Sequence, residues 1–443
     1  MSWGKITVYT VLLIAIAALV IPIVRIENDV LQHTRGTLIY PRDNAFVGMT
    51  VARNLAFYKV WGITKYSFQS ASASPLYTLL LAAVYFIAGE QIIIPLIINL
   101  LAALFFLVVL QRWLIRRGLS PTGQLLLLLL VIFGTPLPPL VIGGMEHILQ
   151  LLFSFLFIRS FVEAVRTVKP SRLPFRVYIY CFLMVMTGYE CVVPAILAAG
   201  FLCWRRQWSL ARNLAAAAFL PIGLYGLISL SKGGYFLPNP LLLRSAVHAH
   251  SEAWLIGNVL VFGGWLSLQY GRRFLLLLAV PLCLHSVALF TDAARQCIDL
   301  YRQQYPAARF VHRYYNRYPI AVNEPGVISY WSEGRKLDFT GLTDHAVMSS
   351  RRMHSWSPAM ADSLSRKEGV RIAILSDTSS NLTALQRWKK VAAWRTKPNG
   401  AGSANSTDSV SFYAADTATV TRLRKNLMEF QPSLPAETIV RYY

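Results

Sequence analysis

The sequence predicts an integral membrane protein, with an α-helical multi-pass domain over residues 1–291 and a water-soluble α/β domain over 292–443. Two observations carry this. Over 443 residues, 55% are hydrophobic and only 14% charged, with a mean hydropathy of +0.45, so lipid rather than water must be the main solvent. Apolar runs long enough to cross a hydrocarbon core of about 30 Å, roughly 20 residues each, recur through the first two thirds and then stop.

Taken in order, the spanning candidates are 6–24, 92–114, 122–140, 147–164, 210–230, 254–270 and 274–291. The stretch 177–204 is long enough for two short helices bent at Tyr189-Glu190, giving about nine spanning helices in all. The N-terminal run follows Lys5 and lacks a small-residue cleavage site, so it reads as an uncleaved first span. The run 75–88 is too short to cross and is expected to lie in the interface, inside a long external loop over 25–91.

Charge orients these segments. The formal net charge is +22, and the basic residues gather at the ends of apolar runs, which is the pattern of topology rather than of nucleic-acid binding. With 75–88 not crossing, Lys5, Arg112 with Arg116-Arg117, the Arg159-to-Arg176 group, Arg205-Arg206 and Arg272-Arg273 all fall on the cytoplasmic side. The loop 25–91, the turn from Pro136 to Glu146, the bend at Glu190, the loop 232–253 and the tail then face outward, which predicts a periplasmic or extracellular domain on a cell membrane.

In the tail, strands are expected at Tyr318 to Asn323, Lys336 to Phe339, Arg371 to Ser376 and Ser409 to Ala414, with helices around 358–367, 380–391 and 416–428. Lys397 to Ser409, rich in Gly, Ser, Asn and Thr, reads as a loop. The five cysteines show no disulfide framework or metal-ligand spacing.

Several polar residues stand where chemistry is plausible. Asp43, about twenty residues past the first span, is either a general base close to the bilayer or the N-cap of a helix over Ala45 to Tyr58. Glu146, at the outer end of a span beside His147, is either functional or a partner of the next helix dipole. Glu190 interrupts an apolar stretch of nearly thirty residues, where an ionisable group is costly. Lys232, Gly233, Gly234, Tyr235 and Asn239, followed by Arg244 and His248, combine cations, permissive glycines, an aromatic ring and an amide. Such a set holds a phosphate or, equally, meets anionic lipid headgroups.

Five segments together resemble a known family. They are Asp43-Asn44-Ala45-Phe46 with Val51-Ala52-Arg53-Asn54-Leu55 and Ser74-Pro75-Leu76-Tyr77; Gly144-Met145-Glu146; Gly188-Tyr189-Glu190; Tyr235-Phe236-Leu237-Pro238-Asn239-Pro240; and Pro325 to Tyr330 with Leu337 to Asp344. The order and content resemble the GT-C membrane glycosyltransferases that take sugar from a polyprenyl-phosphate carrier, and within them the branch containing mycobacterial terminal arabinofuranosyltransferases. Two positions depart from that branch: Asn44 stands where it has a second Asp, and Gly188-Tyr189 where it has Arg-Pro.

The resemblance implies an inverting transfer of a sugar, a pentofuranose in that branch, to a cell-envelope glycan or lipid acceptor. A phosphate leaving group needs no general acid, unlike a glycosidase's, so one base suffices. It implies Asp43 as that base, with Arg53, Lys232 and Arg244 at the donor phosphate and Asn44, Tyr77, Glu146, His147, Glu190, Tyr235 and Asn239 nearby. If the family's base is the second carboxylate, Asn44 marks an altered or inactive chain. No cofactor is expected beyond the lipid-linked donor, and a divalent metal shared by Asp43 and Glu146 stays open. The short helix at 75–88 is implied to shape an acceptor groove, with the tail covering it and binding acceptor glycan. A lipid or glycan transporter, and a non-catalytic membrane glycan-binding protein, are the alternatives.

Overall fold

A computed structural model describes residues 3–166, 172–244, 273–376, 388–396 and 409–443. Among the described residues four helices are long and apolar enough to cross a bilayer: α1 (Trp3–His33), α4 (Ile94–Arg116), α7 (His147–Val165) and α10 (Trp208–Ser231). Their outward sides keep Leu13, Ile21, Leu101, Phe105, Leu224 and Leu227 exposed, as a lipid-facing surface requires. Buried between helices are polar side chains such as Asn99, Gln111 and Gln150, which bind one helix to the next. Gln111, for example, donates to the Val8 carbonyl at 2.8 Å.

Shorter helices fill the remaining segments: α2 (Asp43–Tyr58), α3 (Pro75–Ala88), α5 (Pro121–Gly134), α6 (Leu137–Ile142), α8 (Phe175–Thr187), α9 (Val192–Trp204) and α11 (Asn239–Arg244). The expected short helix at 75–88 is α3, opened by Pro75 at its first turn. The bend at Glu190 is a single 3-10 turn, Tyr189–Cys191, between α8 and α9. The expected span 122–140 is instead two helices, because Pro136 lacks an N–H and Pro138 and Pro139 follow it, so α5 stops at Gly134 and α6 restarts at Leu137. The expected span at 254–270 lies outside the described residues.

The contacts sort the loops onto two faces of the bundle. Tyr40, beyond α1, donates its hydroxyl to the Ile92 carbonyl ahead of α4, and Tyr77 of α3 donates to the Gly144 carbonyl ahead of α7. The backbone N–H of Asn239, beyond α10, donates to Ser70. At the opposite face Arg205 donates to the Val165 carbonyl at the end of α7. The first loop, the turn before α7 and the loop after α10 therefore share one face. The ends of α4 and α7, with Arg116 and Arg166, lie on the other.

The tail begins inside α12 (Arg273–Tyr315), a 43-residue helix with no backbone break at the expected junction near 292. Composition shifts there from apolar to mixed, but Thr291-Asp292-Ala293-Ala294-Arg295 contains no helix breaker, so the helix continues. Beyond it the chain forms β1 (Ile320–Val322), α13 (Pro325–Trp331), β2 (Lys336–Asp338), α14 (His345–Arg352), α15 (Pro358–Lys367), β3 (Ile372–Ser376), β4 (Lys389–Thr396), β5 (Ser409–Ala414), α16 (Thr417–Phe430) and β6 (Thr438–Tyr442). The six strands make one sheet in the order β2-β1-β3-β5-β4-β6, parallel among β2, β1 and β3 and antiparallel elsewhere. Lys389 to Val391, expected at the end of a helix, open β4 instead. Trp388, also expected in that helix, is a bend; residues 380–387, and 397–408 of the expected loop, lie outside the described residues.

Strand alternation distributes the core. Ile320, Val322, Ile372, Ile374, Val410 and Phe412 point to one side, where Phe310 of α12 and Phe430 of α16 pack. Ala321, Ala373 and Leu375 point to the other, against Val347 of α14 and Ala361 and Leu364 of α15. The first of these cores is continuous with that of the membrane helices, running from Val11 of α1 to Leu434.

Candidate functional site at the junction of first loop and tail

The first loop and the tail are joined by α2 and α13. Arg42 is extended, and Asp43 begins α2 with its carboxylate turned away from α2's own backbone. Its Oδ2 accepts the Gly326 N–H and its Oδ1 the Val327 N–H, each at 2.7 Å. Asp43 thus caps the N-terminus of α13, a helix 283 residues away whose own N-cap, Glu324, provides no side-chain cap. The approach is close enough to require Gly326: a Cβ there would overlap the Asp43 carbonyl and lie 2.7 Å from Oδ1.

At the other end of α13, Arg53 donates Nη1 to the Tyr330 carbonyl at 2.7 Å and Nη2 to the Ser329 carbonyl at 3.1 Å. It also pairs with Glu90 at 3.2 Å and lies over the Tyr330 ring. Acid at the N-terminus and base at the C-terminus is the sense in which a helix dipole is stabilised. Arg53, expected at a donor phosphate, therefore has its guanidinium engaged at this joint.

Burial pushes the Asp43 carboxyl up to about 6, against the two N–H bonds that lower it, and the neighbouring Asp338 adds a further upward push. Asp338 is itself buried. It accepts the backbone N–H groups and hydroxyls of Thr340 and Thr343, folding 338–343 into a tight turn, and burial again outweighs those bonds and raises its carboxyl. Onto that turn reaches buried Asn239, whose amide donates to the Leu342 carbonyl at 3.1 Å and the Gly341 carbonyl at 3.4 Å. Tyr235 packs on His345 with ring centroids 4.6 Å apart, under Arg352.

A second polar cluster lies in the bundle on the same face. Gln150 of α7 takes His147 Nδ1 on its carbonyl oxygen at 3.1 Å and donates to the Thr187 carbonyl and, at 3.4 Å, to Glu190 Oε1. A Cβ on Gly188 would overlap the Gln150 amide, so a side chain at 188 would displace that amide from Thr187 and Glu190. Glu146 is buried just before His147, and Tyr77 is buried beside it. The clusters are linked through Tyr225, whose hydroxyl meets Ser70 at 2.8 Å and whose ring lies 5.9 Å from that of Tyr189.

The structure therefore gathers Asp43 and Arg53 on α13, Asn239 on the turn that follows, Tyr235 on His345 just beyond it, Tyr77 on Gly144, and Glu146, His147 and Glu190 around Gln150. Asn44 is exposed beside Asp43. Lys232 is exposed at the end of α10 with no acidic partner among the described residues, and the Arg244 side chain lies outside them. Sequence reasoning missed Gln150, visible as an amide within an apolar span, and gave no role to Asp338 and Gly326, which lie in a segment it singled out but acquire meaning only from their partners. Among the described residues no group of three or more His, Cys, Asp or Glu side chains is arranged to hold a metal ion.

The fold and contacts define a mainly helical membrane protein with a sheet-containing tail docked on one face. Residues 295–413 are similar to a family described only as a domain of unknown function (DUF8728). No curated protein matches the chain, and no solved structure matches it.

Proposed function

We propose that the chain is a membrane glycosyltransferase of the GT-C type, moving a sugar from a polyprenyl-phosphate carrier to an envelope acceptor on the outer face of a cell membrane. One observation carries this reading. The five segments that resemble that family, dispersed from residue 43 to 344, meet on a single face of the bundle: Asp43 bonds Gly326 and Val327, Asn239 the carbonyls of 341 and 342, Tyr77 the Gly144 carbonyl, and Glu190 is joined to Glu146 through Gln150. Convergence on one face is what a common site would require of motifs so far apart in the chain.

In this reading Asp43 removes the acceptor hydroxyl proton. A carboxyl raised to about 6 suits that task, since a base works best with a pKa near the working pH. Each carboxylate oxygen has a lone pair beyond the one given to Gly326 or Val327. Arg53 keeps the base in register by holding α13, and Lys232 with Arg244 meets the donor phosphate. The test is sugar transfer from a polyprenyl-phosphate donor by the purified chain beside Asp43→Asn. Turnover is expected to fall about 100-fold with donor binding nearly unchanged, because a base acts mainly in the transition state.

A second reading has its own support: both Asp43 oxygens already hold the tail, and Asn44 stands where the resembled branch has an acid. On it, Asp43 is a structural tie and the chain a non-catalytic glycan-binding protein. A folded Asp43→Asn chain with full transfer activity removes Asp43 as base and makes Glu146 the next residue to test. No transfer by the wild-type chain favours the binding protein.

A further inference from the structure

On one flank of α12, Tyr301, Tyr305, Arg309 and Arg313 recur every four residues and so form one stripe along the helix. Two adjoining cavities run along it. The lower, about 180 Å³, is bounded by Arg35, Tyr301, Tyr305 and Arg309, and the upper, about 530 Å³, by Tyr305, Arg309, His312 and Trp331, with Phe430 lining both. The upper one alone is the size of a small-molecule site.

The lining has a definite chemistry. Tyr305 stacks on Tyr301 and stands edge-on to Trp331, with centroids 5.1 Å apart and planes at 75°. His312 fixes that corner by donating its Nδ1–H to the Trp331 carbonyl at 2.7 Å. A flat aromatic ligand is held best between parallel faces, whereas a corner suits a puckered sugar ring, whose C–H groups pack on electron-rich aromatic faces. Arg313 is paired with Glu429, but Arg35 and Arg309, both exposed, have no acidic partner among the described residues. Both border the lower cavity, where their like charges repel until an anion lies between them.

Depth places the groove in water. The apolar run of α1 ends at Val24, ahead of Arg25, Glu27 and Asp29. From Val24 to His33 the helix rises about 14 Å, more than the roughly 5–8 Å of a headgroup layer, so Arg35 stands beyond the lipid. We propose that this groove binds an acidic polysaccharide, with one sugar ring in the corner of Tyr305 and Trp331 and the acid group of the next unit between Arg35 and Arg309. Two chambers that share Tyr305 and Arg309 fit successive units of a chain better than one compact molecule. The proposal stands whether or not the chain transfers sugar, because it uses none of the residues assigned to that reaction and is read by binding alone.

The test is calorimetric titration of the full chain in detergent with a galacturonate tetramer, the neutral galactose tetramer and a tetraglutamate peptide. Saturable binding of the galacturonate tetramer is expected, weakened about tenfold or more by combined Arg35→Gln and Arg309→Gln, with both other ligands binding more weakly. These side chains are exposed, so an unchanged melting temperature certifies the variant's fold. No saturable binding of the galacturonate tetramer, equal binding of the neutral tetramer, or affinity indifferent to the two arginines overturns the proposal. Tetraglutamate binding as tightly as the galacturonate overturns the saccharide and assigns the groove to an acidic peptide.

Discussion

At Gly326 one methyl group decides how closely the tail can sit on the first loop. The Cβ of Gly326→Ala would push α13 away from Asp43 and break two hydrogen bonds to a carboxylate, each worth roughly 1.5–3 kcal/mol. A lower melting temperature for the purified chain is expected, and an unchanged one would mean the joint contributes nothing to stability. Asp43 also makes two opposite pH statements. Because its folded value is raised from 3.8 to about 6, the folded chain holds the proton more tightly than the unfolded one. Its stabilising contribution is therefore complete below about pH 4 and is lost as pH rises through about 6. Catalysis by the ionised base runs the other way, so kcat/KM should climb through about pH 6, and a rate flat from pH 5 to 8 would argue against Asp43 as base.

Elements behave as their neighbours allow. Pro-Gly-Val-Ile-Ser-Tyr-Trp, rich in β-branched and aromatic residues, is a poor helix by propensity, and α13 exists because Asp43 and Arg53 hold its two ends. Arg53→Ala should therefore raise amide hydrogen exchange across 325–331 while leaving α4 and α7 protected; unchanged exchange would show that α13 stands alone. Lys336 is a second local conflict, an ammonium buried in edge strand β2 with the Gly334 carbonyl as its acceptor. Burial, with Arg53 nearby, pushes it down to about 7, so below that pH the fold carries a penalty that fades as pH rises toward 10.5. Lys336→Met should stabilise the chain at pH 6 by roughly 1–4 kcal/mol and by less at pH 10, read from thermal unfolding. These cases mark what the sequence made legible. The strands β1, β3 and β5 were readable from β-branched, alternating residues, and α3 from its apolar run behind Pro75. Lys389 to Thr396 was not, because Lys and Ala favour helix and the sheet on either side decides otherwise. Asp43, Asn239 and the segments that hold their partners were visible as motifs, but the pairing was not, since nothing local in a sequence announces a contact a hundred or more residues away.

Across the whole molecule, the tail cannot be assigned a side independently of the helices. Because α13 is fixed to α2, and the turn 338–343 to Asn239, the tail lies on the face where α1 ends and α4 and α7 begin. The opposite face carries Arg112, Arg116, Arg159, Arg166, Arg205 and Arg206, a concentration that the positive-inside rule assigns to the cytoplasm. The tail's face carries basic residues too, Arg53 and Lys65 paired with Glu90 and Glu333, and Arg35 and Lys232 with no acidic partner among the described residues, so labelling must decide the orientation. The expected result is that, in a background with native cysteines replaced, exposed Lys425→Cys in α16 reacts with a membrane-impermeant thiol reagent on intact cells. Arg116→Cys should react only after permeabilisation. The reverse pattern would put the whole joint, Asp43 included, in the cytoplasm, where a transfer on the outer face is impossible. Labelling of both sites in intact cells would mean that α4 does not cross, and with it the two-faced arrangement on which the site depends would fall.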